Sequence, residues 1–365
     1  MIEVGVVGAS GFVGGELLRL LAGHPEFALR YVSRSVGAGS TTVACTVAEL
    51  HPQFGPGKGW QSLTVGPTRV EEAAQRCAAV FLATPAEVSA ELAPALLAAG
   101  VEVVVDLSPA FRIQNPAVHR RWYPKVARTE PVEAVYGLPE LNRAAIRTAR
   151  LIAAPGCLAT AAILSLLPLG ELTGIGLGSI TIDGKTGSTG SGNKLRETGL
   201  HAVRSGVVSP YAPFGHRHTA EIRQALRARG LRTTDGGLRL GMSVYSVDLV
   251  RGLSVAAYVM IEREAAGRGR LALDELYAHA YRDEPFVRVR DWRDGRVPMP
   301  DPKVTVGSNY CDVAAFHDTD ADRLVLVAAL DNLVKGAAGQ AVQACNIRYG
   351  FADELGLSAQ PLYPV

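Results

Sequence analysis

The stretch Met1-Ile2-Glu3-Val4-Gly5-Val6-Val7-Gly8-Ala9-Ser10-Gly11-Phe12-Val13-Gly14 decides the fold of the first half of the chain. Glu3–Val7 is a short apolar strand. Phe12–Leu21 has helical spacing, with Val13, Leu17, Leu18 and Leu21 on one face. A glycine loop joins the two. Glycines there permit a tight turn and let a diphosphate approach the backbone, where the positive end of the helix stabilises it. Glycine spacing alone is a weak signal, and this one is GxxGxxG rather than GxGxxG. Its position after a strand and before an amphipathic helix gives it weight. A purely structural strand–helix turn is the alternative.

Working outward, Ala28–Ser33 is a second strand. Val80–Ala83 and Val101–Val105 are continuous apolar runs, the pattern of parallel strands buried on both faces. Glu87–Ala99 between them has helical spacing. This order predicts an α/β, Rossmann-like domain with a doubly wound parallel sheet. At the end of strand two an NAD site would place a carboxylate for the ribose hydroxyl. Here Ser33-Arg34-Ser35 stands instead, and hydroxyls with a guanidinium suit the 2′-phosphate of NADP(H). A plain surface arginine is the other reading.

The second half changes character. Ser179–Asp183, Leu240–Leu249 and Leu253–Ile261 are strand patterns rich in Val, Ile and Tyr, and Arg251-Gly252 between the last two suits a tight hairpin turn. Helical patterns are fewer: Ala159–Leu167, Thr219–Arg229 and Arg268–Tyr281. This predicts an α+β domain on a mainly antiparallel sheet. The expected layout is a nucleotide-binding domain over residues 1–153, a catalytic and oligomerisation domain over 154–332, and a C-terminal segment, 333–365, whose helix Ala337–Arg348 returns to the first domain.

Composition sets the limits. A chain of 365 residues with 48% hydrophobic and 20% charged residues is long enough for two cores. A formal net charge of +2 gives no bulk electrostatic case for nucleic acid or membrane binding. No run approaches the ~18 apolar residues of a membrane span. The N-terminus reads as a strand and not a signal peptide. The five cysteines are scattered, without metal-like spacing, which fits a reducing, cytoplasmic setting and no metal site.

One cysteine stands apart. Cys157, in Ala154-Pro155-Gly156-Cys157-Leu158, ends an apolar run and opens a helical one, so its sulfur faces unpaired N–H groups and the positive end of a helix dipole. That favours a nucleophilic thiolate; an inert core thiol is the bland alternative, preferred for Cys45, Cys77, Cys311 and Cys345. Gly215-His216-Arg217-His218 supplies acid–base candidates just before a helix. If that segment is extended, both imidazoles share one face with Arg217 opposite. Glu221 is placed either to orient an imidazole or simply to complement the helix N-terminus. In Asp183-Gly184-Lys185-Thr186-Gly187-Ser188-Thr189-Gly190-Ser191-Gly192, hydroxyls and free N–H groups around Lys185, Gly187 and Ser188 can hold a phosphoryl or nicotinamide group, or the stretch is a loop without a ligand. Asp106-Leu107-Ser108-Pro109-Ala110-Phe111-Arg112 ends a parallel strand at the ligand edge of such a sheet. Arg112 there is an anion clamp or a structural ion-pair partner.

At these residues the chain resembles the N-acetyl-γ-glutamyl-phosphate reductase family, including its branch acting on substrates held by an amino-group carrier protein. The resemblance spans nearly the whole chain. It rests on Val7–Leu17, Asp106-Leu107-Ser108 with Phe111-Arg112, Tyr136-Gly137-Leu138-Pro139-Glu140, Pro155-Gly156-Cys157, Gly215–Glu221, Gly307-Ser308-Asn309-Tyr310 and Asp331–Gln340. It implies an NADPH-dependent acyl-phosphate reductase working through a Cys157 thioester, in arginine or lysine biosynthesis, with a semialdehyde product. His218 is expected to transfer the proton, His216 to place substrate, and Glu221 to assist. The cofactor set implied is Gly8, Ser10, Gly11, Phe12, Val13, Gly14, Ser33, Arg34, Ser35, Thr84, Pro85, Gly187, Ser188 and Asn332; the substrate set is Ser108, Arg112, Lys185 and Arg204.

Two departures qualify it. The family's usual Asn-Pro-Gly-Cys is Ala154-Pro155-Gly156-Cys157 here, and its Leu-Pro-His-Gly is Ala83-Thr84-Pro85-Ala86. The stretch His201-Ala202-Val203-Arg204-Ser205-Gly206 is similar to the carrier-protein branch. A small acidic carrier is therefore the expected partner, beside a homodimer or homotetramer. Three alternatives remain at this point: an aspartate-semialdehyde-type dehydrogenase, a cysteine hydrolase or acyltransferase without redox chemistry, and a non-catalytic NADP-binding regulator.

Overall fold

In a computed structural model, the described residues are 1–34, 44–127, 133–172, 176–262, 271–291 and 299–363. They form two compact units, Met1–Pro155 with Ala337–Ser358, and Gly156–Gly336 with Ala359–Val365. Ser35 and the first residues of the expected helix Arg268–Tyr281 lie outside the described residues.

The first unit is built from β1 (Ile2–Val7), α1 (Phe12–Ala22), β2 (Phe27–Arg34), β3 (Cys45–Thr46), α2 (Val47–Leu50), β4 (Thr64–Pro67), α3 (Val70–Arg76), β5 (Ala79–Leu82), α4 (Ala86–Ala98), β6 (Val103–Asp106), α5 (Pro116–Trp122), β7 (Val135–Tyr136), α6 (Pro139–Ile146) and β8 (Leu151–Ala153). Among the described residues its strands lie in the order β3-β4-β2-β1-β5-β6-β8-β7. Every pairing is parallel except β3 with β4. The central strands β5 and β6 are buried along their whole length, which is why they read as unbroken apolar runs and not as alternation.

The second unit starts with α7 (Cys157–Leu166) and continues through β9 (Gly176–Thr186), α8 (His201–Arg204), β10 (Val208–Ala212), α9 (His218–Ala228), β11 (Leu240–Val247), β12 (Leu253–Glu262), α10 (Leu273–Ala280), β13 (Val287–Val289), β14 (Cys311–Asp318) and β15 (Arg323–Leu330). A π-helical turn at Val334–Ala338 leads into α11 (Gly339–Arg348), which belongs to the first unit. The sheet order is β10-β11-β9-β12-β15-β14-β13. It is mainly antiparallel, with parallel pairs at β11–β9 and β13–β14.

That order corrects the hairpin expected at Arg251-Gly252. Strands β11 and β12 are not neighbours, because β9 lies between them and pairs with both. The connection crosses the end of β9 and clasps the glycine-rich stretch that follows it. Gly187 N–H donates to Gly252 O (3.0 Å), Ser188 N–H to Leu249 O (2.8 Å) and Thr189 N–H to Val250 O (3.1 Å). The carbonyls of Leu249, Val250 and Gly252 go to this clasp rather than to a two-residue turn.

Helix α7 has no polar face: every residue from Leu158 to Leu166 is buried. It packs on β12, β14 and β15 and against α9. Its last carbonyls would be orphans in that setting. The Tyr277 hydroxyl donates to Ser165 O and the Tyr281 hydroxyl to Leu164 O, so the far end is anchored without exposing the helix.

In the nucleotide loop, Gly8 has φ +89°, and an added Cβ would overlap the Ala83 carbonyl, with its carbon 2.7 Å away. Both strain and overlap therefore oppose a side chain there. Gly8→Ala should lower the urea-unfolding stability of the protein by about 1–3 kcal/mol, the cost of one forced backbone conformation. An unchanged midpoint would contradict the assigned turn.

Candidate active site

The loop that follows β1 is held by the neighbouring strand β2. The Ser33 carbonyl accepts from Gly8 N–H (2.9 Å) and Ala9 N–H (3.0 Å). Gly11 is the N-cap of α1, no side chain caps it, and no acidic residue sits in the first turn. A Cβ on Gly11 would meet nothing nearer than Gly8 O at 3.8 Å. The space above this helix end is thus open, and its N–H groups suit the diphosphate of a dinucleotide. Ser10 and Phe12 are exposed beside it, with Val13 half-buried. Ser33 is buried and its hydroxyl pairs with Thr68 Oγ1 (3.0 Å), so it shapes the loop and presents no free hydroxyl. Arg34 is half-buried at the strand end, and Thr84 is tied to Ser89 (2.7 Å) with Pro85 capping α4.

Two expected substrate residues in this unit are occupied otherwise. Ser108 donates its N–H (3.0 Å) and its hydroxyl (2.9 Å) to the Asp106 carboxylate. Burial pushes Asp106 up to about 6. Arg112 is buried and gives Nε to Ala154 O (2.7 Å) and Nη2 to Leu107 O (2.7 Å). These bonds brace two strand ends and use two of the five guanidinium N–H donors.

The second unit gathers the nucleophile and acid–base candidates at one point. Gly156 is the N-cap of α7 without a side-chain cap, and Cys157, half-buried, is the first helical residue. The Glu221 carboxylate, fully buried, accepts the Gly156 N–H at 2.9 Å through Oε2. Its Oε1 is 3.9 Å from His218 Nε2. A Cβ at Gly156 would overlap the His218 ring, with Cε1 at 2.7 Å and Cδ2 at 2.8 Å. A Cβ on Gly336, in the π-helical turn, would lie 2.7 Å from Cys157 Cβ. Two glycines therefore let an imidazole and a second backbone segment close on the thiol-bearing turn.

The histidine segment is not extended. Arg217 has φ −55° and ψ −31°, and His218 already begins α9. The two rings still meet, with centroids 4.5 Å apart at 87°. They meet because His218 N–H donates to His216 Nδ1 (3.2 Å), which requires a lone pair on that nitrogen. Burial, with Arg217 adding to it, lowers His216 to about 4, so this ring is neutral at neutral pH.

The other expected residues belong to the same unit. Lys185 Nζ is 2.9 Å from Asp183 and 5.7 Å from the Tyr245 ring centre. Asn332 accepts Gly252 N–H (2.7 Å) and donates to Thr189 Oγ1 (3.0 Å), so its amide serves the clasp on Gly187 and Ser188. Arg204 is half-buried in α8. Tyr211, which the sequence did not single out, stands edge-on to His216 at 6.0 Å. Only the chain fold brings it there, across the turn at Pro213-Phe214-Gly215.

Comparisons with known proteins follow the same division. Residues 3–149 match the family model described as semialdehyde dehydrogenase, NAD binding domain, and residues 157–332 match semialdehyde dehydrogenase, dimerisation domain. The chain is 40% identical, over 100% of both proteins, to a protein of Thermomicrobium roseum named as a [LysW]-L-2-aminoadipate 6-phosphate reductase. It is 38% identical, over 99% of this chain and 100% of the relative, to an N-acetyl-gamma-glutamyl-phosphate reductase of Bacillus cereus. Among solved structures, aspartate semialdehyde dehydrogenase with NADP from Candida albicans gives a TM-score of 0.67 at 18% identity, covering 97% of this chain and 99% of that one. Aspartate semialdehyde dehydrogenase II from Vibrio cholerae gives 0.67 at 17% identity, over 96% and 99%. At such identities the likeness concerns the fold.

The low value for His216 has a consequence for stability. An unfolded histidine protonates near 6.5, and folded His216 near 4. Between those values the unfolded chain binds more protons, so stability rises with pH; the contribution is complete above 6.5 and lost as pH falls towards 4. Its size is on the order of 3 kcal/mol. His216→Gln should flatten this part of the profile in urea unfolding from pH 4.5 to 7; an equally steep profile in the variant would assign the slope to other groups.

Proposed function

The chain belongs to the semialdehyde dehydrogenase family, and from that premise we propose that it is an NADPH-dependent acyl-phosphate reductase forming a semialdehyde and inorganic phosphate. The observation that carries this reading is the Gly156–Cys157 turn: a thiol at an uncapped helix N-terminus, with the Glu221 carboxylate on the preceding N–H and the His218 imidazole pressed against the same glycine. A cysteine hydrolase would need no NAD-binding domain, and a silent NADP-binding regulator would not need thiol, imidazole and carboxylate gathered at one turn.

In the proposed reaction the Cys157 sulfur, as thiolate, attacks the acyl carbon; the C–S bond forms, the C–O bond to phosphate breaks, and phosphate leaves. The helix end favours negative charge on that sulfur. NADPH, when bound, supplies hydride to the thioester carbon. The resulting hemithioacetal on Cys157 collapses: the C=O bond of the semialdehyde forms, the C–S bond breaks, and the electron pair returns to Cys157 as thiolate. His218, beside the turn, is the group proposed to move the proton. His216 is neutral and occupied at Nδ1, so its proposed role is to fix His218 and the substrate. Gly8, Gly11 and the N–H groups of α1 would hold the diphosphate, with Arg34 for the 2′-phosphate. Five cysteines outside any disulfide fit a reducing compartment, and the cytoplasm is the proposed location.

For the substrate we favour an acidic amino acid blocked on nitrogen and presented by a small acidic carrier. The support is His201–Gly206, which carries Arg204 and the exposed Val203, together with the Ala154 and Thr84 departures. A homo-oligomer through the second unit accords with the family model it matches.

Two measurements test this. With semialdehyde, phosphate and NADP supplied, wild-type protein should reduce NADP only when phosphate is present. Cys157→Ala should lose at least ~10³-fold in rate while still binding NADPH; hydrolysis without NADP reduction would overturn the reading. In the forward direction, kcat/KM for carrier-bound acyl phosphate should exceed that for free N-acetylglutamyl phosphate by about a hundredfold, as expected when a second contact surface adds effective concentration. Equal values would remove the carrier.

A further inference from the structure

Tyr211 has a position that packing alone does not require. Its strand, β10, is the outermost of the sheet among the described residues. In the pairing of β10 with β11, Pro210 faces Tyr245 and Ala212 faces Val244, which leaves Tyr211 as the extra residue of a β-bulge. A bulge interrupts the ladder and re-aims one side chain. Here the ring turns edge-on to His216, 6.0 Å between centres at 78°. It remains 53% exposed, so core packing does not hold it there.

Its hydroxyl lies within electrostatic reach of three charge-bearing groups: the Cys157 sulfur and the guanidinium groups of Arg217 and Arg204. Arg204, half-buried in α8, adds a second donor. Its Nε is buried and has no hydrogen-bond partner among the described residues. A buried donor without an acceptor costs free energy unless something completes it. Partial burial, with the charge at Cys157 added, pushes the Tyr211 phenol to about 12, so it stays a hydrogen-bond donor throughout the working range.

We propose that the Tyr211 hydroxyl and Arg204 form an oxyanion subsite beside Cys157, in which the tyrosine donates a hydrogen bond to an anionic oxygen of the bound acyl phosphate. Tyr211 is on this view a catalytic residue in direct contact with substrate. The inference rests on the proposed reaction. The anionic oxygen belongs either to the departing phosphate or to the carboxylate of the amino-acid part.

Tyr211→Phe isolates the hydroxyl, since the ring that meets His216 is kept. In the oxidative direction, with N-acetylglutamate semialdehyde, NADP and inorganic phosphate, the variant should raise one KM about tenfold to a hundredfold, the range for a hydrogen bond to a charged group. A rise for phosphate assigns the subsite to the leaving group; a rise for the semialdehyde assigns it to the carboxylate. The pH profile of Cys157 alkylation by iodoacetamide should stay as in wild type. Both KM values within twofold of wild type would overturn the subsite, as would a shifted alkylation profile with unchanged KM, the mark of a structural role. Should wild-type protein show no phosphate-dependent NADP reduction, the proposed reaction fails separately. Protection of Cys157 from iodoacetamide by inorganic phosphate or N-acetylglutamate then decides the subsite: protection lost in Tyr211→Phe supports it, and protection absent from wild type or kept in the variant overturns it.

Discussion

The Gly156 N–H and the Glu221 carboxylate meet in a hydrogen bond that ties together the starts of two helices, α7 and α9. Glu221 sits in the first turn of α9 and reaches the N-cap of α7, so its oxygens lie near the positive ends of both dipoles. Full burial would make a carboxylate costly, and the amide N–H and nearby His218 offset that cost. Losing the bond would leave a buried donor and a buried carboxylate without their partner at the residue before the nucleophile. The spacing of thiol, imidazole and carboxylate depends on this one contact more than on any local preference of the turn.

What lies behind the contact is packing. Helix α7 is buried all round from Leu158 to Leu166, and its two hydroxyls, Thr160 and Ser165, bond back to the carbonyls of Gly156 and Ala162. Its C-terminal carbonyls are taken by Tyr277 and Tyr281, and its N-terminal end is closed by α9 and by the π-helical turn at Gly336. A helix fixed at both ends places Cys157 more firmly than a loop could. The absence of Cβ atoms at 156 and 336 then sets how near the neighbouring groups approach.

Much of this was legible in the sequence, for identifiable reasons. The alternation of apolar runs with helical spacing gave a parallel sheet because strands such as Val103–Asp106 are buried on both sides, a state that composition records directly. The proline–glycine pair before Cys157 marked the start of α7. Pairing across distance was not legible. Nothing in Leu240–Val247 or Leu253–Glu262 says that β9 inserts between them, because strand alternation reports a face and not a neighbour. For the same reason the bonds from Ser108 to Asp106 and from Arg112 to Leu107 and Ala154 left no mark in the sequence. Tyr211 left no local mark, since a bulge is a property of two strands.

The two histidines near Cys157 differ in their surroundings. Burial keeps His216 neutral, and its Nδ1 is already engaged by the His218 N–H. Tyr211 is held neutral from the opposite side of the scale. One of these neighbours is thus an acceptor and the other a donor, and neither changes charge near neutral pH. A group that does not change charge can orient but cannot exchange a proton cheaply. His218 differs in placement: its Nε2 faces the backbone of Gly156 and the Glu221 carboxylate, where a positive ring would find an opposite charge. His218 is therefore the group proposed to move a proton at the sulfur, while its fixed neighbours hold the geometry.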